Sequence, residues 1–418
     1  MNKIKLNRKL LALLIIIPII TLAFGPAHQA QCLAEENGSY QGKAVSLYKK
    51  VIGGSEFQSY IDLAAKQADQ FVQFGMEFRE PQIWDAALSI AVNELALQHE
   101  LSKHGSELKV TKEEAEAFIG KFLHTEAEVE VFMITNGYTS KTDLVNTIIK
   151  DLEYQKLFLF KAREFKMEVP EAEVRAELER ITVRHILIGF TDSDGKTLRT
   201  SDQALARADE VYRKVIAGGD FEQLVLEYTD DPGTRATGGV IGPMSLADFV
   251  ANMVGEFTEG ALALSLGEVS KPVKSQFGYH IIRMDQQGTP EGDQYLAEYK
   301  EVEDELLFIK VTESPELNEW MDQLFKEARE AMIILDPALR AYRLSNQEKW
   351  AEAAKYYRKA LKTKYYAKKW AVYLDAANAY LMLQQRAKAL KVLEKVAVEA
   401  QNTSEYQDML QRAHGLNE

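Results

Sequence analysis

Apolar positions recur at helical spacing from Ser55 to about Leu178. Trp84, Leu88, Ala91 and Leu95 mark one face of a helix predicted over 81–104, with Gly105 as its C-cap. Thr111 and Glu114 have the spacing of a capping box and open a helix over 112–123. Asn136-Gly137 breaks the next helix, and Leu144, Val145, Ile148, Ile149 and Leu152 then stripe a long one running toward Phe165. Pro170 opens another over 171–180. The period then changes. Residues 183–188 and 278–283 are short runs of β-branched and aliphatic residues and read as strands. Each carries a histidine near its start, His185 and His280, so pairing in one sheet would let two imidazoles far apart in sequence face each other. Between them the pattern predicts a helix over 201–217, a second ending near Tyr228, and turns at Asp230-Asp231-Pro232-Gly233 and Gly238-Gly239-Val240-Ile241-Gly242. A polar stretch over 285–293 leads to two amphipathic helices. Val302, Leu306 and Ile309 line the first, while Ser314 caps the second, whose apolar face is Leu317, Trp320, Met321 and Leu324. Near the C-terminus Ala353, Tyr357 and Ala360 recur as Ala389, Leu393 and Val396, a shift of 36 residues.

The length of 418 residues suggests about two to four domains, and a hydrophobic content of 46% is ample for their cores. A formal net charge of -13 argues against nucleic acid as a partner. Lys3, Lys5, Arg8 and Lys9 precede an apolar run over 10–24, followed by small residues, the pattern of a secretory leader. Cleavage is expected after Ala34, with Cys32 and Ala34 at the small-residue positions. The run is short for a spanning helix and holds Pro18, and an uncleaved anchor is the alternative. Cys32 is the only cysteine, so a chain cut after Ala34 must fold without disulfides even in an oxidising compartment.

Taken in order, the His185 run, the two helices, both turns, Leu266-Gly267-Glu268-Val269-Ser270-Lys271-Pro272-Val273 and the His280 run resemble the parvulin family of peptidyl-prolyl cis/trans isomerases. The resemblance covers about a quarter of the chain. It implies an α+β domain with a small antiparallel sheet that catalyses rotation about X-Pro bonds without metal or cofactor. Such rotation faces a barrier of roughly 18–20 kcal/mol, and catalysis needs a slot for the proline ring and an environment favouring the twisted amide. By position, the resemblance makes His185, His280, Ser275 and Asp231 the catalytic set, the histidines sharing a hydrogen-bond network. It makes Ile241, Met253, Phe257 and Phe277 the walls of the proline pocket. Taken singly, a strand histidine is ordinarily a core residue, Met253 and Phe257 at helical spacing are ordinarily core, and Asp231 before Pro232 is a turn residue. Their joint occurrence in family order favours the site. A second reading keeps the histidines as a frame for the pocket, with the chemistry in the apolar slot and Asp231. The turn over 239–244 lacks the acidic and aromatic residues the family commonly carries there, which puts substrate preference in question. No cluster of Lys or Arg in 191–200 suits a phosphorylated substrate. The sequence holds no metal-ligand cluster, phosphate-binding glycine loop or Ser/His/Asp hydrolase signature.

The preceding helices, ending in Val169-Pro170-Glu171-Ala172-Glu173-Val174, resemble the N-terminal chaperone domains of secreted foldases of the PrsA and SurA type. There the helices cradle unfolded clients, and the segment after the isomerase module returns to complete the domain; a packing domain without its own role is the alternative. Many such foldases are lipoproteins, but Gln29-Ala30-Gln31 before Cys32 departs from the lipobox, so a non-lipidated leader is expected. The 36-residue shift resembles two tetratricopeptide repeats. Two repeats fall short of a stable stack and are expected to lean on the preceding helices or on another chain. Residues 348–399 hold twelve Lys or Arg against five Asp or Glu, which serve either as a solvated face or as a contact for membrane surface or wall polymer.

The expected chain is therefore an α+β multidomain protein. It has a signal peptide over 1–34, an all-α N-terminal chaperone-like domain over 35–178, and a parvulin α+β domain over 179–287. Helices over 288–336 complete the N-terminal domain, and α-helical TPR-like repeats follow over 337–418. Its expected function is that of an exported foldase of the cell envelope or membrane surface, isomerising X-Pro bonds in secreted polypeptides and binding unfolded clients. The alternatives are a holdase whose parvulin module is inactive and an envelope scaffold recruiting partners through its repeats.

Overall fold

A computed structural model describes residues 39–72, 76, 78–192, 195–396 and 398–415. The expected leader over 1–34, with Cys32, lies outside the described residues. Among the described residues no helix is long and apolar enough to cross a membrane. Residues 162–313 form one compact unit, and the described residues up to Lys161 form another together with those from Ser314 onward.

The latter unit begins with a hairpin. Tyr48 and Lys49, with φ of 50° and 67°, turn strand β1 (Lys43–Leu47) back into β2 (Lys50–Gly53). Helix α1 (Gly54–Val72) packs on α2 (Glu80–Lys103), which buries the predicted face of Trp84, Leu88, Ala91 and Leu95. The Thr111 hydroxyl accepts from the Glu114 N–H and the Glu114 carboxylate accepts from the Thr111 N–H, so the capping box starts α3 (Lys112–Gly120) as read. Helix α4 (Glu126–Asn136) stops on Gly137, whose φ of 76° is left-handed. Ala115, Ile119 and Val129 then pack against Leu144, Val145 and Ile148 of α5 (Lys141–Glu164).

The unit over 162–313 comprises α6 (Glu171–Leu178), β3 (Arg180–Gly189), α7 (Ser201–Ile216), α8 (Phe221–Tyr228) and β4 (Val240–Ser245). Helices α9 (Leu246–Asn252) and α10 (Gly255–Leu262), strands β5 (Val273–Lys274) and β6 (Gly278–Gly288), and α11 (Gly292–Thr312) complete it. Its sheet is antiparallel, in the order β4-β3-β6-β5. Alternation along the strands sorts the side chains onto two faces. Ile186, Ile188 and Ile281 pack with Ala204, Ala208 and Val211 of α7 and with Phe221 and Val225 of α8. Ile181, Val183, Ile282 and Met284 pack on the other face with Phe249, Phe257 and Ala261. Of the two amphipathic helices read after the module, α11 packs on α6, where Arg163 Nη2 lies 2.6 Å from Asp304 Oδ1 and Lys310 Nζ donates to the Glu168 carbonyl at 2.8 Å.

The second such helix, α12 (Pro315–Ala331), is capped by Ser314 and packs on α2. Strand β7 (Ile333–Ile334) pairs with β1 and completes a sheet in the order β2-β1-β7. The helical unit read as all-α thus carries a small three-stranded sheet. Its strands of 5, 4 and 2 residues are too short to set up an alternation that a sequence pattern can show. Next come α13 (Pro337–Asn346), α14 (Trp350–Ala360), α15 (Trp370–Met382), α16 (Arg386–Leu393) and α17 (Ser404–His414). Ala353, Tyr357 and Ala360, and their counterparts Ala389, Leu393 and Val396, are all buried, so the 36-residue shift repeats a packed face. The repeats lean on α2. Trp84 meets Tyr366 edge to face at 5.5 Å, Lys369 Nζ reaches Glu80 Oε1 at 2.5 Å, and Arg79 Nη1 lies 2.8 Å from both Asp375 Oδ1 and Glu405 Oε1.

Candidate active site

His185 stands opposite Ile282 in the β3–β6 register, and His280 stands opposite Leu187. The two histidines are therefore diagonal neighbours on one face of the sheet, the face that carries Val183 and Met284 and looks toward α10. Their Nδ1 atoms lie 3.4 Å apart, and their rings stack at 5.6 Å with 18° between planes. Phe257 presents its ring edge to face against both, 5.5 Å from His185 and 5.1 Å from His280. Both imidazoles are buried.

The ends of this pair are tied down by hydroxyls and a carboxylate. Ser275 Oγ lies 2.7 Å from His280 Nε2 and accepts the Phe277 N–H at 3.1 Å. His185 Nε2 lies 3.0 Å from Asp231 Oδ2 and 3.0 Å from Thr234 Oγ1, and Thr234 donates to Asp231 at 2.5 Å. The His185 and Thr234 hydrogen bonds and the Gly233 N–H hold the Asp231 carboxyl well below the usual carboxylate range, against the opposing effect of partial burial. An ionised Asp231 only accepts, so the bond from His185 runs toward it, and with both rings uncharged the tautomers set the remaining directions. His185 donates from Nε2 to Asp231 and accepts at Nδ1 from His280. His280 accepts at Nε2 from Ser275, whose oxygen accepts the Phe277 N–H. Burial, and then the neighbouring His185, push the His280 pKa down to about 3, with Asp231 opposing.

Local sequence builds each support. Thr229 Oγ1 accepts the Leu187 N–H at 3.1 Å and Asp230 Oδ2 accepts the Gly189 N–H at 2.9 Å, which pin the loop carrying Asp231 to β3. The His185 N–H donates to the Gly239 carbonyl at 2.9 Å. Gly239 has a φ of 78°, and a Cβ there would lie 2.3 Å from the His185 carbonyl oxygen, so only glycine permits this approach.

The pocket residues separate by burial. Ile241 stands opposite Val183 in β4 and is half-buried beside half-buried Met253, while Phe257 is 2% exposed and lies beneath the histidines. Met253 and Phe257 do not share a helix, since Met253 is the C-cap of α9 and Phe257 belongs to α10. Phe277 is 53% exposed, donates its backbone N–H to Ser275 Oγ, and is not part of the apolar cluster that holds the other three. Thr234 joins the site although the sequence marks only the preceding Asp230-Asp231-Pro232-Gly233 as a turn. Arg199, in the loop weighed for phosphate binding, is held by Asp230 and by the Gly189 carbonyl at 2.8 Å. Among the described residues no group of three or more His, Cys, Asp or Glu is placed to hold a metal ion.

Residues 170–288 match the family model described as PPIC-type PPIASE domain. The module is a parvulin-type domain. Residues 344–413 match the tetratricopeptide repeat model, so the chain joins a parvulin-type domain to a C-terminal repeat segment. A foldase protein PrsA from Oceanobacillus iheyensis is 27% identical over 219 residues, 49% of this chain and 67% of that protein. Another from Geobacillus kaustophilus is 33% identical over 175 residues, 39% of this chain and 56% of that protein. The chaperone SurA of Chromohalobacter salexigens is 38% identical over 103 residues, 25% of this chain and 22% of that protein. The match thus spans two thirds of the first relative's length and much less of the third's.

Proposed function

We propose that the parvulin-type domain catalyses cis/trans isomerisation of X-Pro bonds in unfolded, proline-containing polypeptides, and that the chain acts as an exported foldase. The observation that carries this reading is the continuous row of hydrogen bonds from Ser275 through His280 and His185 to Asp231. It ends in an ionised, partly exposed carboxylate on the face that also carries Ile241 and Met253. Planar amides carry partial negative charge on oxygen, and rotation removes it. A carboxylate beside the carbonyl and an apolar slot around the ring therefore both disfavour the planar forms relative to the twisted one. Asp231 acts on the amide, His185, His280 and Ser275 hold it in place, and Ile241, Met253 and Phe277 meet the substrate above Phe257. An isomerisation assay on a proline tetrapeptide tests the reading: the protein should exceed the uncatalysed rate and Asp231→Ala should remove most of the excess. A wild-type rate equal to the uncatalysed one would leave the holdase reading.

Holding of clients is assigned to the helical unit. Val131 and Ile134, three residues apart on α4, are 62% and 73% exposed and are the apolar side chains through which that unit is proposed to meet a client. Export is inferred from the basic and apolar leader, and mass spectrometry of the mature N-terminus should find it near Glu35; a lipid on Cys32 would overturn that start. The excess of Lys and Arg in the repeats supports contact with anionic membrane surface or wall polymer.

A further inference from the structure

Strand β7 is the edge of its sheet, and its outer side is free of any partner strand among the described residues. The Leu335 N–H donates to the Ala44 carbonyl, and Ile333 and Ile334 stand opposite Ser46 and Val45. Backbone groups along an antiparallel strand alternate in direction, so the N–H and C=O of Ile334 point away from β1, toward the open edge. Beside this edge lies a cleft of about 570 Å³ between α12 and α13. Its floor is apolar, with half-buried Met332, Ile334 and Leu344, and its rim carries exposed Lys326, Arg329 and Arg340. Arg343 in the wall is already held by Asp85, and Arg340 lies over the Tyr356 ring at 4.5 Å. Among the described residues Glu330 is the one acidic residue lining the cleft. An open strand edge above an apolar floor accepts an extended chain through its backbone, and three rim cations against one carboxylate select acidic side chains on that chain.

We propose that the free edge of β7 and this cleft bind an extended acidic polypeptide segment by strand addition, as a docking point for unfolded clients on the helical unit. The proposal rests on the foldase reading and names the class of client segment it takes. A free polyanion would use the rim alone, whereas the apolar floor and the backbone groups of Ile334 fit a peptide.

Fluorescence anisotropy of a labelled decapeptide alternating Val and Glu, titrated with the purified full chain, tests it. Saturable binding is expected, with no binding of the Val/Lys counterpart. The triple variant Lys326→Glu, Arg329→Glu, Arg340→Glu should weaken it by about tenfold or more. N-methylation of alternate amides in the peptide should weaken binding to the wild-type protein as well, which tests strand addition without altering the protein. The triple variant should isomerise a short proline peptide at the wild-type rate, since none of the three residues belongs to the parvulin-type domain. Binding unchanged by the triple substitution or by N-methylation overturns the proposal. Tighter binding of a polyglycerol phosphate than of the Val/Glu peptide also overturns it. Wild-type protein that binds the peptide yet gives no isomerisation overturns the enzymatic reading and leaves the docking site standing.

Discussion

His280 Nδ1 lies 3.4 Å from His185 Nδ1, in the middle of a row of polar contacts that runs from Ser275 to Asp231. Burial first, and then the neighbouring His185, hold the His280 pKa down at about 3, with Asp231 opposing. In the unfolded chain a histidine takes up its proton near about 6.5. Between those values the unfolded state binds more protons, so stability from this group is complete above about 6.5 and drains as pH falls toward 3. The slope for one group is at most about 1.4 kcal/mol per pH unit. Asp231 acts in the same direction at lower pH. Its folded pKa lies below the unfolded value of about 3.9, and its contribution is lost as pH falls below that. Urea midpoints of the parvulin-type domain, followed by hydrogen exchange in β3 and β6, should therefore fall from pH 7 to pH 4, and His280→Gln should flatten the decline. An equal slope in the variant would remove His280 from this account.

Thr234 is the shared partner of His185 and Asp231. Thr234→Val keeps the shape and deletes the hydroxyl, which leaves Asp231 Oδ2 with one donor fewer. The expected cost is about 1–2 kcal/mol of domain stability together with a lower isomerisation rate, and Thr234→Ser should retain both. A Val variant with native rate would make the threonine a turn residue and nothing more.

The histidine pair was legible in the sequence because a strand fixes the face of every second residue from local pattern alone. His185 with Val183, and His280 with Ile282, follow from that rule once the strands pair. Thr234 was not legible, since its partners are set by a turn closing onto a strand 49 residues away. The same holds for β7, where two residues become a strand only because β1, far off in sequence, supplies the ladder. The need of the repeat pair for a neighbour was readable as a deficit; that α2 supplies it depends on Arg79, Glu80, Trp84 and Asp85, four residues whose spacing carries no repeat signal.

Arg79 reaches Asp375, a buried carboxylate on α15 whose pKa burial raises to about 6 while Arg79 pulls it down. Arg79→Ala strands that carboxylate and should destabilise the helical unit by about 1.5–3 kcal/mol at neutral pH, the range for a hydrogen bond to a charged group. Asp375→Asn alone leaves Arg79 its bond to Glu405 and should cost less. The double variant should recover part of the Arg79→Ala loss. Additive losses in a thermal double-mutant cycle would show that the two residues do not couple.

Met253 and Phe257 occupy the same apolar cluster but differ in burial, and that difference separates binding from scaffolding. Phe257 is 2% exposed and touches both histidine rings, so Phe257→Ala should cost about 3–5 kcal/mol and disturb the row of hydrogen bonds along with any slot above it. Its loss of activity would therefore carry little information about substrate contact. Met253 is half-buried at the break between α9 and α10, where its side chain can meet a proline ring without supporting the histidines. Met253→Ala should lower kcat/KM for a proline tetrapeptide by about tenfold, equivalent to about 1.4 kcal/mol of lost contact, while the melting temperature of the domain shifts only slightly. The pH dependence of the remaining rate should match that of the wild-type protein, because Asp231 and both histidines keep their partners. A Met253→Ala protein with full kcat/KM would place the proline ring elsewhere, and the exposed Phe277 ring at the edge of the site would be the next residue to substitute.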